Sequence, residues 1–410
     1  MGADGFDYAP LIRKGAPPAA PRFTGFPKFN FIGGHNDPTE IPVDDLAKAA
    51  DTVLRRDGAK LAMYNMAQGP LGYEALRDFV VRKVAGRGIQ CTRDEILITP
   101  GSNPGIDLVN QVLLDPGDIV IVEEFSYGGA LTRLKKAGAK IVGAPLDKDG
   151  LKMDALGAIL EDLKAKGTPP KYIYTIPSIQ NPTGSILSLE RRRQLLALSA
   201  RYGVPIFEDE CYTDLNFTDH MPQAIYGLDP SRVIHIGSFS KSLAPALRVG
   251  YIVAPWSILS RLVACKTDGG TGAIEQMVIA EYFGRDFKLH VDKLSGVLKA
   301  KLATMVEAVE KEFGTAAECW VPDGGIFLWI KLPDAVDVTK LVKPAADAGV
   351  AFNPGPEWAC DPATSKSHLR LCFALPSHDE IRAGVAAFAR VCFEQTGIPA
   401  QSANVRHRGG

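Results

Sequence analysis

The stretch Ser238-Phe239-Ser240-Lys241-Ser242-Leu243 follows directly after a short apolar run at residues 233–236, and Arg248 lies seven residues beyond the lysine. The run is rich in β-branched residues and continuously apolar, which predicts a strand buried on both faces. Open α/β sheets bind their ligands at the carboxyl ends of such strands. The stretch therefore predicts an α/β fold with a ligand site beside Lys241. A surface lysine in a serine-rich turn is the simpler alternative for the stretch taken alone.

Similar apolar runs recur along the chain. They lie at residues 96–99, 118–122, 140–144, 172–176, 204–207 and 249–253. Apolar residues at helical spacing separate most of these runs, for example at residues 104–114 and 189–202. Strands that alternate with helices predict a mainly parallel sheet covered on both sides. We assign this large unit to residues 41–290.

The two ends of the chain differ from this central part. After about residue 290 come a long amphipathic stretch and two further strand-like runs, at residues 325–332 and 368–373, before a last helix. This order predicts a smaller α+β unit at residues 291–410. Residues 1–40 are rich in proline, glycine and aromatic residues, which predicts an extended arm that packs on the folded part.

Composition excludes several classes of function. The 410 residues are 46% hydrophobic and 23% charged, as in ordinary globular proteins. A formal net charge of −1 gives no electrostatic reason to expect a nucleic acid or a membrane as partner. No apolar run reaches the roughly eighteen residues of a membrane span, and the first residues do not resemble a secretory signal. Seven scattered cysteines predict reduced thiols in a cytoplasmic protein, with no metal site.

Polar residues also follow two other predicted strands. Asp209 follows the run at residues 204–207, and Asn181 lies in a Gln-Asn-Pro-Thr-Gly turn after the run at residues 172–176. A carboxylate at a strand end can bind a protonated heterocyclic nitrogen, and Tyr212 can reach the same ligand. The amide of Asn181 is free to donate a hydrogen bond. The alternatives are acidic residues that cap a helix and an ordinary tight turn.

A fourth segment, Thr99-Pro100-Gly101-Ser102-Asn103-Pro104, joins a predicted strand to a predicted helix. Its small residues expose backbone N–H groups at a helix N-terminus, where a phosphate is stabilised. The hydroxyls of Ser238 and Ser240 and the guanidinium of Arg248 can add charge-assisted hydrogen bonds to the same phosphate. An ordinary strand-to-helix turn is the alternative.

In combination and order, these stretches resemble the class I/II aminotransferases among the fold-type I pyridoxal 5′-phosphate (PLP) enzymes. The likeness is greatest to the branch with the 2-aminoadipate, kynurenine and aromatic aminotransferases and the C-terminal domains of MocR regulators. It extends from about residue 41 to the C-terminus. Further matching stretches are Tyr64, Gly69-Pro70-Leu71-Gly72-Tyr73, Leu76-Arg77, Tyr127, Asp209-Glu210-Cys211-Tyr212, Arg248-Val249-Gly250-Tyr251 and His368-Leu369-Arg370-Leu371-Cys372-Phe373.

The resemblance implies the aspartate aminotransferase-like fold and an enzyme that moves an amino group from an L-amino acid to a 2-oxo acid. Lys241 would hold PLP as a Schiff base and move the substrate proton through a quinonoid. Asp209 would keep the ring nitrogen protonated, and Asn181 and Tyr212 would bond the ring oxygen. The implied cofactor set is completed by Gly101, Ser102, Asn103, Ser238, Ser240 and Arg248 around the phosphate and by Tyr127 on the ring face.

The resemblance also implies how substrate and partner are bound. Arg370 would clamp the substrate α-carboxylate through its planar guanidinium, the alternative being a strand-end arginine in a surface ion pair. Asn181, Gly34 and His35 would line the substrate side. Tyr64 would reach the phosphate bound by the partner subunit, which implies a homodimer with shared active sites.

Three segments depart from the family pattern. The arm carries polar His35 and Asn36 where relatives are apolar, residues 101–104 lack the usual glutamines, and residues 266–272 are unusually rich in glycine. These departures leave the substrate open. They also leave open a PLP enzyme of elimination or replacement and, as a minor alternative, a non-catalytic PLP-binding sensor. A DNA-binding sensor needs a basic helical segment, which the proline-rich first forty residues do not suggest.

Overall fold

The computed structural model describes residues 6–16, 19–20, 22–23, 25–218 and 220–399. Several residues of the predicted arm, and residues 400–410 of the predicted small unit, lie outside these ranges. The strands are β1 (Phe29–Asn30), β2 (Ile96–Thr99), β3 (Ile119–Glu123), β4 (Lys140–Ala144), β5 (Leu146–Asp147), β6 (Gly150–Leu151), β7 (Tyr172–Thr175), β8 (Ile206–Asp209), β9 (Val233–Ser238), β10 (Gly250–Val253), β11 (Glu318–Cys319), β12 (Phe327–Lys331), β13 (Val350–Ala351), β14 (Asn353–Pro354) and β15 (His368–Cys372). The α-helices are α1 (Val43–Asp57), α2 (Glu74–Ala85), α3 (Ser102–Leu113), α4 (Gly128–Lys136), α5 (Met153–Ala165), α6 (Leu189–Tyr202), α7 (Ile225–Leu228), α8 (Trp256–Cys265), α9 (Ala273–Phe313), α10 (Val342–Asp347) and α11 (His378–Thr396).

The large sheet has seven strands in the order β2-β10-β9-β8-β7-β3-β4. Only β10 runs antiparallel to its neighbours within this sheet, so the prediction of a mainly parallel sheet is confirmed. Alternate residues of one strand enter different cores, because strand side chains point to opposite faces. In β2, Leu97 packs into one apolar cluster, while Ile96 and Ile98 pack into another. The sheet is therefore covered on both sides.

The small sheet has four antiparallel strands in the order β11-β12-β15-β14. Helices α9 and α11 contribute to the core beside it, through residues such as Met305 and Phe388. The arm joins this part of the molecule, because β1 pairs in parallel with β13 and Phe31 is fully buried. Phe23 and Phe26, earlier in the arm, are exposed.

Helix α9 contributes to the core on one face of the large sheet and to the core beside the small sheet. Its first half places Met277 and Phe283 in the core of the large sheet, and its second half places Leu294 and Met305 in the core of the small sheet. From the sequence, only the part of this helix after about residue 290 is predicted to be helical. The apolar pattern weakens over residues 284–293, but the helix continues through them without a break. The predicted boundary at residue 290 therefore falls inside a continuous helix.

The strand ends determine where a site can form. Strands β2, β3, β7, β8 and β9 all point the same way, so the turns that follow them meet at one edge of the large sheet. Four of these turns carry the predicted cofactor residues, and the turn after β3 carries Tyr127. Within the described ranges, no helix is both long and apolar enough to cross a membrane.

Candidate active site

The turns converge on a cavity of about 270 Å³. The predicted site residues among those that line it are Gly34, Ser102, Asn103, Tyr127, Asn181, Asp209, Tyr212, Ser238, Ser240, Lys241, Arg248 and Arg370. The structure therefore brings together residues that lie more than three hundred positions apart in the sequence.

Lys241 lies in the turn after β9 and is partly buried. Its Nζ donates a hydrogen bond to the carbonyl oxygen of Gly34, at 2.7 Å. Burial lowers the pKa of Lys241 to about 8, because the charged ammonium loses its hydration. The amine therefore loses its proton far more readily than an ordinary lysine, although most of it is still protonated at pH 7, and such a lowered pKa favours a nucleophile or a general base.

Asp209 is the buried acid at the end of β8. Its Oδ2 accepts a hydrogen bond from the Tyr174 hydroxyl at 2.6 Å, and its Oδ1 accepts one from the Cys211 backbone N–H at 3.2 Å. Burial raises the pKa of Asp209 above its ordinary value, while these donors act in the opposite direction. No Lys or Arg of the described chain forms an ion pair with it, so it can still receive a cationic group from a ligand.

A cup of polar groups forms at the N-terminus of α3. Ser102 begins the helix, and Arg248 donates from Nη1 to the hydroxyl of Ser240 at 3.4 Å. Gly101 has a φ of +94°, and a Cβ there would lie only 2.3 Å from Nη2 of Arg248. Glycine therefore allows the guanidinium to approach the helix N-terminus. Hydroxyls, a guanidinium and helix N–H groups together form an anion site.

Arg370 projects from β15 at the other end of the cavity. Its Nη1 donates to Asn181 Oδ1 at 3.0 Å, and its Nη2 donates to Gly33 O at 3.0 Å and to Asn353 Oδ1 at 2.7 Å. All three acceptors are neutral. Burial lowers the pKa of Arg370 to about 10, which still leaves the guanidinium charged at neutral pH. The site thus holds a buried cation without a carboxylate partner among the described residues.

The remaining lining residues connect these two ends. Asn181 Nδ2 donates to the Tyr212 hydroxyl at 3.4 Å, and the Tyr127 hydroxyl donates to Asn103 Oδ1 at 3.1 Å. The turn that carries Asn181 is held by Gln180, whose amide donates to Glu123 Oε2 at 3.0 Å. Burial raises the pKa of Tyr212 well above its ordinary value, so its hydroxyl keeps its proton.

Three predicted site residues do not line the cavity. Gly101 acts one layer away, through its contact with Arg248. The ring of His35 packs edge-on against Phe26, at 5.1 Å between ring centres, and its neighbour Asn36 donates to the carbonyl oxygen of Leu243 at 3.0 Å. Tyr64 is 92% exposed. Asn36 therefore ties the arm to the Lys241 turn through a hydrogen bond, whereas His35 contacts another arm residue through its ring.

Sequence reasoning missed several lining residues. These are Gly33, Ile176, Cys211, Pro245, Phe327, Asn353 and Trp358. Phe327 lies in a predicted strand, and Gly33 adjoins a predicted site residue, so proximity in sequence could have suggested both. Asn353 begins the two-residue strand β14, and Trp358 ends the short 3-10 turn that follows it. Elements this short have no periodic pattern that could mark them.

Comparison with known proteins identifies the family. Residues 34–388 match the family model described as aminotransferase class I and II. The chain belongs to this family. The match covers the cavity and both sheets, so it is not confined to one motif. This aminotransferase is a PLP-dependent enzyme that transfers an amino group from an amino acid to a 2-oxo acid, as the sequence predicts.

Individual relatives share most of the chain. A 2-aminoadipate transaminase of Thermus thermophilus is 32% identical over 88% of this chain and 89% of its own. A crystal structure of the α-aminoadipate aminotransferase of Thermus thermophilus, complexed with N-(5′-phosphopyridoxyl)-L-leucine, superposes with a TM-score of 0.82 at 31% identity, covering 89% of this chain and 92% of that one. The kynurenine aminotransferase of Pyrococcus horikoshii gives a TM-score of 0.84 at 30% identity, covering 91% and 92%. The predicted PLP-dependent transferase fold, of the aspartate aminotransferase type, is confirmed.

The donor set of the cavity fits PLP. A buried amine (Lys241), a buried carboxylate without an ion-pair partner among the described residues (Asp209) and an anion cup line the same space. PLP presents an aldehyde, a ring nitrogen that can be protonated and a phosphate, which match these three groups in turn. The glycine at position 101 leaves the space that the cup requires.

Proposed function

We propose that Lys241 of this aminotransferase binds PLP and moves the Cα proton of the amino acid, while Arg370 receives the α-carboxylate. The observation that carries this proposal is the shared cavity: an amine of lowered pKa and a buried guanidinium line the same 270 Å³ space. An amino acid offers a carboxylate and a Cα–H group one bond apart. Two fixed groups that receive them would orient the reacting bond, which contributes much of an enzyme's rate.

The other lining residues would hold the cofactor. Ser102, Ser238, Ser240 and Arg248, with Gly101 and Asn103 beside them, would bind its phosphate. Asp209 would pair with the ring nitrogen, Asn181 and Tyr212 would bond the ring oxygen, and Tyr127 would cover a ring face. The bound cofactor supplies an electron sink that allows the amino acid to lose its Cα proton.

The chain's own groups support a proton-transfer role for Lys241. Its pKa of about 8 lies near neutral pH, where a general base is most effective. The Gly34 carbonyl that accepts from Nζ lies on the arm, and the Gly33 carbonyl accepts from Arg370, which supports a role for the arm at the substrate side of the cavity.

A half-reaction tests these roles. The PLP-loaded protein is mixed with single amino acids without an acceptor, and the released 2-oxo acid and ammonia are measured. Because the relatives are named for 2-aminoadipate and kynurenine, both belong in the panel, beside alanine and the aromatic amino acids. We expect one equivalent of 2-oxo acid per site and no ammonia with the true donor. The Lys241→Ala protein should release none, and Lys288→Ala, which removes an exposed lysine of α9, should behave as wild type.

We further propose a homodimer with shared active sites. Tyr64 is 92% exposed and lies beside exposed Met63, and such aromatic and apolar groups are common in subunit interfaces. Mixing Lys241→Ala with Tyr64→Ala chains tests the sharing. A mixed dimer would contain one intact site, with Lys241 from one chain and Tyr64 from the other, so activity should exceed that of both parents. Activity no higher than the sum of the parents would refute a shared site.

Two further parts of the proposal concern organisation. We assign residues 41–290 to a PLP-binding unit and residues 291–410, together with the arm (residues 1–40), to a smaller unit. The pairing of β1 with β13 and the two separate cores support this division. We also propose a cytoplasmic location, which the free state of all seven cysteines supports.

A further inference from the structure

The guanidinium of Arg370 lies between two aromatic rings. Its Cζ is 3.6 Å from the ring centre of Phe327 and 3.6 Å from that of Trp358. Two rings cannot occupy the same face of a guanidinium at this distance without overlapping, so each ring covers one face. Both faces are therefore closed, and a ligand can approach only along the edge, within the guanidinium plane.

The groups along that edge do not neutralise the charge. The acceptors are two amide oxygens, from Asn181 and Asn353, and the backbone carbonyl oxygen of Gly33. Within the described ranges, no carboxylate lies within ion-pair distance of Arg370. A buried and uncompensated cation favours an anion, and the closed faces restrict the direction from which the anion arrives.

Residues 353–358 supply two of these contacts. Asn353 holds Nη2 in the plane, and Trp358 covers one face. Trp358 is itself anchored, because its carbonyl oxygen accepts from the backbone N–H of Ser126 at 2.8 Å and its ring lies 6.1 Å from that of Tyr127. The position of the indole is thus tied to the turn that follows β3 in the large sheet.

We propose that the Phe327 and Trp358 rings make Arg370 selective for a planar carboxylate over a tetrahedral oxyanion, with Trp358 as a positioning residue. Both oxygens of a carboxylate can lie in the guanidinium plane and accept two parallel hydrogen bonds. A sulfonate or phosphonate that binds in the same way directs a third oxygen out of the plane, towards the electron-rich face of one ring. This inference rests on the proposed role of Arg370 as the receiver of the α-carboxylate.

The test compares two probes of similar size, propionate and ethanesulfonate, on the PLP-loaded enzyme by titration calorimetry. Wild type should bind propionate about tenfold more tightly, because its two oxygens stay in the guanidinium plane while the third oxygen of the sulfonate meets the face of a ring. Trp358→Leu should reduce the ratio of the two dissociation constants to about twofold, mainly by strengthening ethanesulfonate, whose third oxygen no longer meets the indole face. Phe313→Leu removes a buried ring from the core beside the small sheet, away from the cavity, and should keep the wild-type ratio.

The outcomes separate the two proposals. An unchanged ratio in Trp358→Leu, with PLP still bound, overturns the role of Trp358. If Trp358→Leu does not bind PLP, Phe327→Leu uncovers the opposite face and gives the same test, with the same ratio expected. Arg370→Gln should lose propionate binding altogether. Wild-type propionate binding by Arg370→Gln would instead overturn the proposed role of Arg370.

Discussion

The two ends of the cavity are built in different ways. At the end proposed to hold the cofactor, Ser102, Asp209 and Lys241 each lie at the end of a buried strand of one sheet or within three residues of it. At the carboxylate end, Arg370 comes from the small sheet, and its contacts come from the arm, the turn after β7 and the connection between β13 and β15. One end is therefore a property of a single sheet, whereas the other exists only after distant segments have assembled.

This difference predicts which substitutions abolish the reaction and which alter ligand binding alone. Substitutions at the cofactor end should remove the chemistry, because each group there is held by the backbone of the large sheet. Substitutions at the carboxylate end should change which ligands bind and leave the cofactor in place. The predictions below test this separation, beginning with the largest expected effect.

The sharpest test at the cofactor end is Asp209→Asn. The amide cannot carry the negative charge that would stabilise a protonated ring nitrogen, so kcat should fall by about 10³-fold while PLP stays in the intact cup. Steady-state kinetics together with cofactor content measure both effects. The neighbouring Glu210→Gln, which alters a buried ion pair with Arg192, is the control and should keep kcat within a few-fold. A similar loss in both variants would contradict a specific role for Asp209.

A second test asks whether the cofactor end is preformed. Burial lowers the pKa of Lys241 from 10.5 in the unfolded chain to about 8 in the folded protein. Between these pH values the unfolded state binds more protons than the folded state. The free energy of unfolding therefore increases as pH rises from about 8 to 10.5.

This gain should amount to about 3 kcal/mol and be absent from Lys241→Met. Urea unfolding of both cofactor-free proteins across this pH range measures the difference. A difference that does not change with pH would mean that the lysine is not held as a neutral amine by the fold alone.

At the carboxylate end, Arg370→Lys keeps the charge but removes the planar pair of donors. KM for the amino donor should rise about 30-fold, and PLP affinity should stay unchanged. Kinetics and cofactor titration distinguish the two quantities. Arg382→Lys, on the exposed side of α11, controls for the substitution itself. Loss of PLP affinity in Arg370→Lys would show that the two ends are not separable.

The smallest effects are expected on the arm. Asn36→Ala removes the hydrogen bond to Leu243 O, which ties the arm to the Lys241 turn, and should raise KM about fivefold. His35→Ala should change kcat/KM by less than about twofold, because His35 contacts Phe26 and does not line the cavity. The reverse order of effects would assign a substrate contact to His35.

The different construction of the two ends of the cavity also explains which site residues can be predicted from the sequence. The cofactor end could be predicted because a buried strand is recognisable from its composition and its end is followed at once by Asp209 or Lys241. Strand direction carries no such mark, so nothing in the sequence distinguishes antiparallel β10 from its parallel neighbours.

The carboxylate end is less accessible to sequence reasoning. Arg370 is predicted as a site residue only through the resemblance to a family. The sequence gives no indication that Asn353 and Trp358 line the cavity. Their importance comes from contacts with Arg370, which depend on the assembled fold and leave no periodic pattern. Tyr64 poses a related difficulty, since its side chain is 92% exposed and does not line the cavity.

Helix α9 has a consequence for the stability of the whole molecule. It is 41 residues long, which corresponds to about 60 Å, and both cores pack against it. If the core of one sheet unfolded, the apolar residues that α9 contributes to it would become exposed to water. The same helix also forms part of the other core, so that core would be destabilised as well. Heating should therefore melt the two sheets together, and calorimetry should record one heat-absorption peak where two independently folding units would give two.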